Sequence, residues 1–101
     1  MSIEVTARHK DIHADLQNYA KAKAEAFSAD YPKTSSVRVV LDFDRHIYKA
    51  QVVATVNGTA YVGEAEDSEN IRKAIDDASD KADRQVRKQL QKLTKATRGS
   101  L

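Results

Sequence analysis

The chain contains no cysteine, a single proline and only three glycines. The absence of cysteine excludes a disulfide frame, thiolate catalysis and cysteine-ligated zinc, and it is compatible with a reducing compartment. None of the glycines stands in a phosphate-cradling spacing, so nucleotide hydrolysis has no support. No apolar run approaches the roughly 20 residues needed to cross a bilayer, and the N-terminus shows no charged-then-apolar leader, so a cytoplasmic location is expected. What remains is 101 residues with 41% apolar and 32% charged content, enough for one soluble domain with a single modest core.

The stretch from Asp67 to Leu101 organises the rest. Ile71, Ala74, Ile75, Ala78, Ala82, Val86, Leu90 and Leu93 recur at steps of three and four, which places them on one stripe of a long helix. Lys73, Arg84, Lys88 and Lys95 fall near the opposite pole, with Lys81 and Lys92 on one flank and Arg87 and Arg98 on the other. Charge is sorted along this helix as well. Residues 64–83 hold eight acids against three bases, whereas every charged side chain after Asp83 is cationic: Arg84, Arg87, Lys88, Lys92, Lys95 and Arg98. Acid-before-base pairs at i,i+4 (Glu69 with Lys73, Asp77 with Lys81, Asp80 with Arg84, Asp83 with Arg87) and the helix dipole explain that order as far as Arg87. Beyond it the cations repel one another unless an anion is waiting. Two readings stand at this point, a solvated helix end and a nucleic-acid-binding rail.

Upstream, Ile3 and Val5 alternate with polar residues as a short strand, and Ile12, Leu16, Tyr19, Ala20, Lys23 and Phe27 share one side of a first helix. Asp11 or His13 is its expected N-cap, and Tyr31-Pro32 its stop, because a residue before proline is pushed out of the α region. Val37, Val39, Leu41 and Phe43 then alternate as a second strand, turned at Asp44-Arg45-His46 into a third through Tyr48, Ala50, Val52, Ala54 and Val56. Asn57-Gly58 predicts a type I′ hairpin into a fourth strand through Tyr61, Gly63 and Ala65, and Ser68 or Asn70 is the expected cap of the long helix. The order β-α-β-β-β-α predicts an α+β fold, a two-layer sandwich with both helices on one face of a four-stranded sheet and the first strand parallel to its neighbour. The helix-free face would carry Val40, Val53 and Val62, either as ordinary β-formers or as a docking patch. Only the tail at 96–101 reads as mobile, which leaves 1–95 as the domain.

Chemistry is sparse. His9, Asp11 and His13 form the one cluster that suggests a metal or a general base, and it falls short of the three or four ligands plus supporting shell that zinc requires. Asp76 and Asp77 point to different helix faces, and Ser28, Ser35, Ser36 and Ser68 have no activating partner. No catalytic residue, cofactor or metal is expected.

Ile3-Glu4-Val5-Thr6-Ala7-Arg8-His9, the run Asp11 to Tyr19, and above all Ala74-Ile75-Asp76 followed by Asp80-Lys81-Ala82-Asp83-Arg84-Gln85-Val86-Arg87-Lys88 resemble the ribosome hibernation-promoting factor family. The resemblance spans Ile3 to about Leu93. It implies the same strand and helix order, double-stranded-RNA-binding-domain-like, and a cytoplasmic, ribosome-associated factor that is monomeric when free. Such a factor lies in the messenger and transfer RNA channel of the small subunit, on 16S-type ribosomal RNA, and inhibits translation in stress or stationary phase. A companion hibernation factor is a further partner that the resemblance leaves open. The family's cations map onto Arg8, Lys23, Lys81, Arg84, Lys88 and Lys92; helical geometry adds Arg87 and Lys95. Three departures stand out: Ile71-Arg72 where relatives carry Met-Tyr, His13 where they carry a capping Thr, and Ala82 and Val86 where they carry Leu. The length matches the short form, without the domain that joins two ribosomes and without an acidic tail. The competing class is a protein-interaction or dimerisation module on the exposed sheet face.

Overall fold

The computed structural model describes residues 2–10 and 12–99, and side chains as far as Leu90. The elements are β1 (Ser2–Ala7), α1 (Ala14–Asp30), β2 (Thr34–Asp44), β3 (Ile47–Val56), β4 (Thr59–Asp67) and α2 (Ile71–Gly99), in the expected order. The strands form one sheet in the order β1-β2-β3-β4, with β1 parallel to β2 and the other pairs antiparallel.

Period-two alternation sends Val37, Val39 and Leu41 of β2, Ala50, Val52, Ala54 and Val56 of β3, and Ala65 of β4 to one side, where all are buried. Ala20, Ala24 and Phe27 meet them from α1, Ile12 from the bend just ahead of it instead of from the helix itself, and Ile71, Ala74, Ile75, Ala78, Ala82 and Val86 from α2. Ala24 joins a face that the sequence pattern assigns to Lys23. Gly63 explains the slim residues of α2. A Cβ built there would lie 2.7 Å from the backbone nitrogen of Ala82 and closer still to the carbonyl oxygen of Ala78, so β4 and α2 meet backbone against backbone.

Both hairpins are two-residue turns with positive φ at each central position. Asn57 and Gly58 (φ 51° and 81°) follow the expected type I′ pattern. Arg45 and His46 do the same at 52° and 64°, with Asp44 paired to Ile47; histidine is enriched in that region among non-glycine residues, whereas arginine is not. Tyr31 ends α1 outside the helical region (φ −128°, ψ 86°), as its place before Pro32 favours, while its N–H still donates to the Phe27 carbonyl. His13 occupies the N-cap position but its side chain makes no capping hydrogen bond, and Asp11 lies outside the described residues.

One core expectation fails. Leu90 is 41% exposed instead of buried with the stripe. The 29 residues of α2 span roughly 43 Å at 1.5 Å each, whereas the nine of β4 cover roughly 31 Å, so the helix outruns the sheet. Leu90 lies beyond Val56 and Asn57, bordering an open groove with Tyr31 and Pro32. Leu93 and the tail expected over 96–101 fall outside the described side chains.

Candidate nucleic-acid interface

Helix α2 is anchored at its start by two short polar side chains. Asp67 Oδ1 accepts from the N–H groups of Glu69 and Asn70, each at 2.8 Å, and those bonds hold its carboxyl below the usual carboxylate range. Asn70 Oδ1 then accepts from the N–H of Arg72 at 2.9 Å, which makes Asn70 the cap. From there the buried stripe faces the sheet, and the remaining surface turns either to α1 or to solvent.

The flank toward α1 takes up acid. Tyr19 donates to Asp76 Oδ1 at 2.6 Å, and Lys23 pairs with the same oxygen at 3.1 Å. Asp76 thereby raises the pKa of both the tyrosine hydroxyl and the ammonium. About two turns further on, Asp83 accepts from Tyr31 through Oδ1 and pairs with Arg87 through Oδ2 at 2.8 Å. Burial, and then the hydrogen bond to that carboxylate, push the Tyr31 hydroxyl up to about 12. Of the four i,i+4 pairs read from the sequence, Asp83 with Arg87 forms. Lys73 pairs instead with Asp67 at 3.8 Å, and Lys81 Nζ donates to the backbone carbonyl of Glu64 at 2.8 Å.

That last contact has a companion. Gln85, one turn on, donates through Nε2 to the Val62 carbonyl at 2.6 Å. Lys81 and Gln85 therefore cover alternate carbonyls of β4, an edge strand of the sheet. Edge strands left with open polar groups invite pairing with other chains, and these two side chains close that route at both positions. Their i,i+4 spacing is visible in the sequence, but their targets are not.

The candidate cations thus divide. Arg84 and Lys88 are exposed and make no ion pair among the described residues. Arg87 is exposed but tied to Asp83, Lys23 is tied to Asp76, and Lys81 is spent on β4. Arg8 is not brought to this surface: it lines a shallow depression with Val40, Asp42, Lys49 and Gln51. The alternation of β1 puts Arg8 on the helix-free face with Glu4 and Thr6. Lys92 and Lys95 lie outside the described side chains.

The helix-free face itself is broken up. Val53 stands opposite Val62, but Val40 stands opposite Gln51, which is hydrogen-bonded to Glu64 at 2.9 Å, and Arg38 pairs with Glu4. Among the described residues, Val62, at 39%, is the one exposed large apolar side chain on that face. Elsewhere His9 packs edge-on against Phe43 with ring centroids 5.4 Å apart, so it belongs to an aromatic group with His46 and Tyr48.

With this geometry established, comparison with known proteins decides the family. Residues 3–94 match the sequence model described as Sigma 54 modulation protein / S30EA ribosomal protein. The chain belongs to the S30EA ribosomal protein family. Within it, the chain is 25% identical to the ribosome hibernation promoting factor of Pseudomonas putida KT2440 over 100 residues, covering 99% of this chain and 97% of that one. It is 26% identical to the protein of the same name from Azotobacter vinelandii over 99 residues, covering 98% and 92%. Among solved structures, a ribosomal subunit interface protein from Coxiella burnetii superposes with a TM-score of 0.76 at 18% identity, over 87% of this chain and 96% of that one. The N-terminal domain of Protein Y from Thermus thermophilus gives 0.73 at 24%, over 87% and 98%. These two likenesses establish the shared fold, a four-stranded sheet with two helices.

Proposed function

We propose that this S30EA family member is a ribosome hibernation factor. It occupies the messenger and transfer RNA channel of the small subunit, lies on 16S-type ribosomal RNA through the solvent face of α2, and blocks translation without chemistry. Residues 1–95 form the binding unit, monomeric when free, and the protein works in the cytoplasm on idle ribosomes. The observation that carries this reading is the pair Arg84 and Lys88, exposed one turn apart with no ion pair to a carboxylate among the described residues. A helix that engages Asp76 and Asp83 with neighbouring donors and leaves these cations open is matched to a polyanion. Family membership and the names of the two bacterial relatives support the ribosome as the particle that carries that polyanion.

Cations on phosphates displace counterions, so binding falls with salt. Sedimenting wild type and the R84E/K88E double variant with purified small subunits tests the reading. The wild type is expected to co-sediment at moderate salt and the variant to remain in the supernatant. Retention of the variant on the subunit would refute the assignment of these residues. Indifference of the wild type to small subunits in dilute buffer would refute the function.

A further inference from the structure

At one of the two open cations, α2 and β4 border an open notch of about 240 Å³ lined by Tyr61, Gln85, Lys88 and Gln89. Its chemistry is specific. Tyr61 is half-buried, packed against the core, and its hydroxyl has no partner among the described residues. The Gln85 amide is held in place, because its nitrogen donates to the Val62 carbonyl, and this leaves Oε1 as an acceptor of fixed position. Lys88 brings a positive charge with no ion pair among the described residues, and Gln89 an exposed amide that both donates and accepts.

An aromatic ring, a fixed acceptor, a free amide and an ammonium around one small depression make up a site for a nucleobase with its phosphate attached. We infer that this notch takes an unpaired base of the bound RNA, stacked on Tyr61, while Arg84 and Lys88 hold the adjoining phosphates. The inference rests on the RNA reading above and adds to it a preference for single-stranded RNA over phosphates alone. Sequence tolerance follows, because every base offers a π face to the ring. A purely apolar ligand would leave the Gln85 oxygen, the Tyr61 hydroxyl and the Lys88 charge without partners, and is disfavoured for that reason.

The test compares a fluorescein-labelled short single-stranded RNA with an abasic strand of the same length, followed by anisotropy at fixed salt. Wild type is expected to bind the base-bearing strand about tenfold more tightly. Tyr61→Leu should close that gap without changing affinity for the abasic strand, and Tyr61→Phe should preserve it. Equal affinity of the wild type for both strands would overturn the inference and leave the RNA reading standing. An equal loss on both strands in Tyr61→Leu would also overturn it, since the ring would then serve only to hold α2. Failure of the wild type to bind either strand would overturn the RNA reading and the inference together. The wild-type comparison needs no variant, so a misfolded Tyr61→Leu protein does not rescue the idea.

Discussion

Gly63→Ala is the substitution whose effect the structure fixes most tightly. The new methyl would sit 2.7 Å from the Ala82 nitrogen and 3.2 Å from the Ala78 carbonyl carbon, with the Ala78 oxygen nearer still. All three atoms are helix backbone, so no rotamer change relieves the overlap. Either α2 must back away from β4 by about an ångström, or the strand must bow outward. Ordinary overpacking costs about 1–3 kcal/mol, and a clash with main chain on a seam of alanines belongs at or above the upper end. Retreat of α2 also thins the contacts of Ala74, Ala78 and Ala82, all fully buried at 0% exposure. A loss of about 3 kcal/mol in a domain of this size lowers the melting temperature by roughly 12–24 °C. Thermal melting followed by circular dichroism measures it directly. Because the obstruction is backbone, adding Ala78→Gly should fail to restore stability and should lower it further through helix propensity. A melting point within about 3 °C of wild type would show that the helix and strand do not approach as described, and the account of the slim α2 core would fall with it.

Two further outcomes follow from the contacts of α1 and β4. Tyr31 has its hydroxyl raised from 10.0 to about 12 in the fold, so the protonated form is favoured there; its stabilisation is complete below about pH 10 and is lost as pH rises toward about 12. Urea unfolding across that range should show wild type losing more stability than Tyr31→Phe, and parallel curves would refute the Tyr31–Asp83 bond. Lys81→Met should lower stability by about 1 kcal/mol through the lost bond to the Glu64 carbonyl while leaving the salt dependence of RNA binding unchanged. Lys88→Met should do the reverse, lowering the salt slope by about one. A Lys81→Met variant whose salt slope drops as much as that of Lys88→Met would return Lys81 to the RNA-binding set.

Where a pattern depended on neighbours in sequence, it was legible. The three long strands, the Asn57-Gly58 turn, the stop before Pro32 and the buried stripe of α2 as far as Val86 all follow from alternation, turn chemistry and helical spacing. What could not be read depended on neighbours in space. The i,i+4 rule pairs Asp77 with Lys81, yet Lys81 reaches β4, because a strand carbonyl lies within its span and accepts a charge-assisted bond. Leu90 fits the stripe by period, but period says nothing about where the sheet beneath it ends. Arg8 belongs with the helix cations by resemblance, and strand alternation carries it to the other face. Arg45-His46 mark a turn in sequence, while their two left-handed conformations follow only from the register that β2 and β3 adopt on either side.

The same distinction alters how the charge balance of α2 should be understood. Read along the chain, the acids of its first half oppose the cations of its second and bring the protein to a net charge of only +2. In the fold, Asp76 faces Tyr19 and Lys23 of α1, which donate to it and pair with it, and Asp83 accepts from Tyr31 at the end of α1 and pairs with Arg87 of α2 itself. Partly exposed ion pairs of this kind contribute at most about 1 kcal/mol each, so stability is not what distinguishes the arrangement. Its consequence is directional. At physiological salt a charge is felt over about 8 Å, and an acid already matched by a cation presents little net field to an approaching polyanion. Arg84 and Lys88 are exposed without such an ion pair among the described residues. An RNA strand approaching α2 from solvent therefore meets a surface more positive than the average charge of the chain, and the side chains that produce that difference belong to α1 as much as to α2.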